Sequence, residues 1–149
     1  MLASSGIHLG FQETGDSQLA TQEVFGTICS RVCEEEGWEL LPTGVRVTFG
    51  DGRHQLVQLE FFEFENEELV RLYTTIGDAR ELSAVRLTTA LRINAELAHG
   101  ALGVRYDHLI MTDTLSLVEA DAGEIKGSIG YLAKTADFYE KTIFGTDQF

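Results

Sequence analysis

Basic residues are scarce. Eleven Lys and Arg stand against 24 Asp and Glu in a chain of 149 residues, a formal net charge of −13. That balance excludes nucleic acid as the main partner, because phosphate binding needs clustered Lys and Arg. It also argues against an anionic membrane surface. Long apolar runs are lacking: no stretch approaches the roughly 20 apolar residues that span a bilayer. Met1 to Phe11 has no basic region and no long apolar core, so no secretory signal is expected there. The expectation is a cytoplasmic protein whose two cysteines are reduced. Proline occurs once, at Pro42, ahead of the first strong strand signal. None of this indicates disorder, since 44% of the residues are hydrophobic and 23% are charged. The length suits one domain that buries about 70% of its unfolded surface and needs no disulfide or metal staple.

Catalytic and cofactor motifs are missing too. There is no Walker-type or Rossmann-type glycine pattern and no Gly-x-Ser-x-Gly elbow. Gly50-Asp51-Gly52 is a turn with no helix after it. His8, His54, His99 and His108 form no paired ligand motif. Cys29 and Cys33 share a helix face, but no further ligand stands at zinc spacing, so they read as small buried hydrophobes. Glu60, Glu63, Glu65, Glu67 and Glu68 fit no twelve-residue calcium loop and read as a solvated acidic rim. No catalytic residue, metal ligand or cofactor is assigned.

What is present is periodicity. A loose arm is expected over residues 1–16 and a single domain over 17–149. A first helix is expected from Ser17 to Glu36, with Asp16 as N-cap and Phe25, Ile28, Cys29 and Val32 as its apolar stripe. Glu34, Glu35 and Glu36 then oppose the helix dipole in its last turn. Trp38–Leu41 reads as a short edge piece. Val45, Val47 and Phe49 alternate, Gln55–Phe64 is a long strand, and Leu69–Ile76 is another beyond the acidic turn Glu65–Glu68. Asp78 and Glu81 form a capping-box pattern for a second helix from Ala79 to His99, which Gly100 stops. Its stripe is Ala84, Leu87, Leu91, Ala95 and Ala98. Leu102–Tyr106 and Leu109–Leu117 read as a hairpin turning at Asp107-His108. Asp121 and Glu124 start a third helix with Ile125, Ile129, Leu132, Ala136, Tyr139 and Ile143 on one face, and Gly145 ends it. Runs of strands separated by single helices give an α+β fold, an antiparallel sheet with helices packed on it.

The long strand carries more information. Val57, Leu59 and Phe61 are assigned to the core. Leu56, Phe62 and Phe64 lie on the opposite face, joined by Leu69, Arg71 and Tyr73 of the next strand. A sheet face in water does not carry this many large apolar groups, so something covers them. The candidates are a helix of the same chain, a second subunit, or a segment of another protein. Asn94 interrupts the apolar stripe of the second helix. Its amide either bonds loop backbone or sets register in a subunit interface.

Several strings occur in a familiar order. They are Arg53-His54-Gln55-Leu56-Val57, Thr75-Ile76-Gly77, Leu91-Arg92-Ile93-Asn94, Ala136-Asp137-Phe138-Tyr139-Glu140 and Phe144-Gly145-Thr146-Asp147. With their spacing, over residues 17–149, the chain resembles the YbjN-like proteins, which share their fold with type III secretion chaperones of the Tir-chaperone kind. The resemblance implies the order α-β-β-β-α-β-β-α, a non-enzymatic binding role and a homodimer. It carries over no catalytic residue. The expected function is a protein-binding module, chaperone-like or regulatory, that holds a client segment on an apolar, acid-rimmed surface. Candidate contacts are Leu56, Phe62, Phe64 and Tyr73, and the candidate dimer interface is Ala90, Asn94, Ala95 and Ala98. The competing reading is a small-molecule or enzymatic domain that uses the acidic loop with His54 or His108.

Overall fold

The computed structural model describes residues 12–144, and side chains from Thr21 onward. The first helix, α1, runs Gln12–Glu36. It therefore starts earlier than expected, and Asp16 lies inside it rather than capping it; residues 1–11 of the expected arm lie outside the described residues. Gly37, at φ +74°, lets the chain leave α1 in a left-handed conformation. Six strands lie between the helices, four before the second and two before the third: β1 Glu39–Leu41, β2 Gly44–Thr48, β3 His54–Phe64, β4 Glu67–Asp78, β5 Ala101–Arg105 and β6 His108–Ser116. The Trp38–Leu41 edge piece is thus β1. All pairings are antiparallel, and the sheet order is β1-β2-β3-β4-β6-β5. Glu65-Asn66 and Tyr106-Asp107 make the β3–β4 and β5–β6 turns, each residue with positive φ, as two-residue hairpins of this kind require. The second turn sits one residue earlier than expected, because His108 already pairs with Arg105.

The expected second helix is broken in two. Asp78 does act as a cap, but of a single 3-10 turn, Ala79–Glu81, and it accepts from the Arg80 backbone N–H. Leu82 is extended and turns its side chain against the core. Ser83 then caps α2, which spans only Ala84–Asn94. Local capping logic places a start at Asp78; packing of Leu82 moves the start to Ser83. Ala95 is the C-cap, and Ala98 lies beyond the helix, so the stripe expected through them does not form. The last helix, α3, spans Ala122–Tyr139 and has the full capping box: Glu124 N–H donates to Asp121 Oδ1 at 2.8 Å and Asp121 N–H to Glu124 Oε1 at 3.2 Å. A π-type turn, Glu140–Phe144, closes the described chain; the expected stop at Gly145 lies outside it.

One core fills the space between the helices and one face of the sheet. Ile125, Ile129, Leu132, Ala133 and Ala136 of α3 are fully buried, with Phe25, Cys29 and Val32 of α1 and Val57, Val70, Leu72 and Met111 of the sheet. Polar atoms inside it are paired. The Thr74 hydroxyl donates to the Leu56 carbonyl at 2.6 Å and accepts from Gln55 Nε2 at 2.7 Å. The Ser128 hydroxyl donates to Asp113 Oδ2 at 2.8 Å, tying α3 to β6.

Gly44 shows how tightly the edge is drawn. A Cβ there would collide with the Val57 carbonyl oxygen on β3, a backbone atom that cannot swing away. Gly44→Ala is expected to cost about 1–3 kcal/mol in urea unfolding. Gly50→Ala, with nothing within 4 Å of its Cβ, is expected to stay within about 0.5 kcal/mol of wild type.

Candidate functional site

Two surfaces stand out, one on each side of β3. The first lies where α1 runs beside the edge of the sheet. Phe25, Gly26 and Cys29 of α1 face Leu40–Gly44 and the β3 residues Leu59 and Phe61 across a groove of about 310 Å³. Gln22 and Glu23 form its polar lip. Phe61 was expected in the core, and its alternation does aim it at the helices. At the far end of β3, however, the helix cover is incomplete. Its ring meets Phe25 edge-on at 5.9 Å and stays 39% exposed. Leu40 is 44% exposed beside it. Burial first, and then the neighbouring Cys33, push the Cys29 thiol up to about 12, so it stays protonated and behaves as an apolar wall of the groove.

The second surface is the outer face of the sheet. Among the described residues no helix covers the aromatic rings there; arginines do. The Arg71 guanidinium lies 4.1 Å over the Phe62 ring, and that of Arg105 lies 4.6 Å over Tyr73. Glu60 holds both: Arg71 Nη1 donates to its Oε1 at 2.9 Å and Arg105 Nη2 to its Oε2 at 2.7 Å. Hydrogen bonding from Arg105 above all, and then from Arg71, keeps the Glu60 carboxyl below its ordinary value. Ile110, on the same face, is only 6% exposed. Phe64 has no such cover and is half exposed.

The expected dimer residues separate. Ala90 is buried in the chain's own core, while Ala95 and Ala98 are exposed in the turn after α2. The Asn94 side-chain oxygen accepts from the Leu102 N–H at 2.8 Å and so anchors the start of β5, the backbone-bonding role of the two considered. His54 and His108 are both exposed, one opening β3 and the other opening β6. Among the described residues, no group of three or more His, Cys, Asp or Glu is placed to hold a metal ion. No helix among them is long and apolar enough to cross a membrane.

No family model matches the chain, and neither does any curated protein. Solved structures do. A chain of the complex between the Yersinia pestis type III secretion chaperone SycH and a stable fragment of YscM2 aligns with a TM-score of 0.52. It is 16% identical, over 76% of this chain and 98% of that one. A chain of the HopA1–SchA chaperone–effector complex aligns with a TM-score of 0.53 at 10% identity, over 78% of this chain and 93% of that one. The fold is therefore the one found in type III secretion chaperone complexes: three helices on a six-stranded antiparallel sheet, the α+β class expected from the sequence.

The Glu60 bridge carries a pH signature. A carboxyl whose folded pKa is lowered stabilises the fold fully above its unfolded value, about 4.3, and that contribution disappears as pH falls through the folded value. The three side chains are between 25% and 37% exposed, so screening holds the effect to about 1 kcal/mol or less. Wild type and Glu60→Gln compared by urea unfolding are expected to differ most at pH 7 and to converge below about pH 4. A gap that persists at pH 3 would show that the glutamine disturbs packing instead.

Proposed function

We propose that the protein is a non-enzymatic binding module of the chaperone kind, holding a segment of a client protein. The observation that carries this reading is the groove beside the edge strand, where Leu40 and Phe61 are left open to solvent above a floor of Phe25 and Leu59. Both structures aligned above are complexes of a chaperone with another polypeptide. Client contact centres on Leu40 and Phe61 and continues round the end of β3 to Phe64. Leu56, Phe62 and Tyr73 form a second flank on the outer face. Glu23 at the groove, with Glu65, Glu67 and Glu68 at the hairpin end, favours a client with basic flanks. The strings that resemble YbjN-like proteins are the ground for proposing that branch, with a cytoplasmic setting and a chaperone or regulatory role. Neither nucleic acid nor membrane is a proposed partner.

The protein is further proposed to be a homodimer. Ala90 and Asn94 are engaged within their own chain, so the contact falls on the solvent side of the same helix. There Val85 and Leu91 are 75% and 68% exposed beside the open edge of β5. Ala95 and Ala98 border that patch.

Two outcomes follow. Phe61→Ser with Leu40→Ser is expected to cost about 1–2 kcal/mol of stability, yet to lower recovery of a defined client from native extract at least tenfold. Wild-type recovery is expected to weaken as salt is added, and equal recovery by the variant would remove the groove as the site. Light scattering at micromolar concentration is expected to give about twice 16.5 kDa for wild type and a monomer for Leu91→Glu; a wild-type monomer ends the dimer proposal.

A further inference from the structure

The outer face holds an imbalance that client binding in the groove does not use. Three charges meet at its centre, two guanidiniums and the Glu60 carboxylate, and they sum to one surplus positive charge in a chain of net −13. Both carboxylate oxygens are already engaged, one by each arginine. The guanidinium is a quarter exposed, but its Nη1 is shielded beneath the Tyr106 side chain and has no acceptor in hydrogen-bond geometry. A shielded charged donor without an acceptor marks a place where a partner belongs. Its surroundings limit what that partner is. Arg105 lies between Tyr73 and Tyr106, whose centroids are 4.6 and 5.4 Å from its central carbon. Tyr106 is 82% exposed in the β5–β6 turn, so rotation of this one ring off the guanidinium opens the way to Nη1. An arginine pair that shares one carboxylate is matched geometrically by a second carboxylate. Only one charge needs compensating, and 24 acids repel a polyanion.

We propose that the Arg71–Arg105 pair is a recognition site for a single carboxylate, an Asp or Glu side chain on an otherwise uncharged or basic segment of a protein partner. The incoming carboxylate joins Glu60 and makes a four-charge cluster with both guanidiniums neutralised. Phe62 and Tyr73 act as rigid platforms that keep the guanidiniums in place. The site rests on the binding-module reading only in that its partner is a polypeptide. It is separate from the groove, so substitutions at Leu40 and Phe61 leave it intact.

The test is an NMR titration of the whole protein that follows the Nε–H signals of Arg71 and Arg105. The probes are a blocked five-residue peptide with one central Glu, the same peptide with Gln, and inorganic phosphate. Saturable shifts of both arginines are expected with the Glu peptide, at an affinity at least tenfold above that of the Gln peptide or of phosphate. Arg105→Gln is expected to abolish the response. Glu60→Gln removes the internal competitor and is expected to tighten binding of the Glu peptide several-fold, a gain that a damaged fold does not produce. Equal binding of the two peptides would overturn the proposal. So would phosphate matching the Glu peptide, which would indicate a general anion site, or an affinity unchanged in Glu60→Gln. If Arg105→Gln fails to fold, the wild-type peptides and Glu60→Gln still decide.

Discussion

The helices among the described residues press on one face of the sheet, and strand geometry does not let the other face be ignored. Side chains alternate along a strand, so every inward residue is flanked by outward ones. β3 meets this constraint most sharply at Phe61-Phe62, where adjacent rings point to opposite sides. The inward ring finds a helix, incompletely. The outward ring finds a guanidinium. Arginine suits this role because its stem and flat head cover an aromatic surface while its N–H groups stay available. The cover is held by charge: Glu60 fixes both heads from a single position.

The parts legible in the sequence are those that depend on near neighbours. The α3 helix is the clearest case, because Asp121 and Glu124 bond to each other and the stripe from Ile125 to Ala136 is regular. The hairpins follow from their turn residues in the same way. α2 shows the limit. Asp78 and Glu81 carry a genuine local signal, but the partly buried Leu82 packs against the core in an extended conformation, and the helix starts only after it, at its own cap Ser83. Phe61 shows another limit. Alternation assigns its side correctly but does not reveal that α1 and α3 fail to cover the end of the strand. Arg105 was not recognised at all. Its partners Glu60 and Tyr73 are 45 and 32 residues away in sequence, and no short-range pattern links them. The one available signal was an arginine pointing to the same face as unexplained aromatics.

The acidity also has a structural distribution. Glu36 is tied to Lys126 of α3 at 3.2 Å, which offsets part of the anionic crowding in the last turn of α1. Glu39 is held by Arg46 across β1 and β2. Arg53 joins the β2–β3 turn to Asp137 of α3 and to its own Asp51. Several of the scarce cations therefore link one element to another. Exposed acids stand at the β3–β4 tip, at Glu65 and Glu67, and on α1, at Glu34 and Glu35.

The bridge between Glu60 and Arg105 also reports shape. By pairing register, Glu60 is level with Thr114 and Arg105 with His108, three strands across and six residues along. On a flat sheet the two backbones would stand roughly 25 Å apart at ordinary strand spacing and rise, well beyond the combined length of a glutamate and an arginine. The sheet must therefore coil along that diagonal until its open face becomes a trough, with the shift in pairing between Thr75 and Gly77 as one place where the bend is taken up. A trough does not stack on another flat sheet, and its curled corner turns β5 away from a straight row of pairing partners. The ion pair that shelters two rings is thus also the mark of a curvature by which an open-faced sheet resists amyloid-like layering.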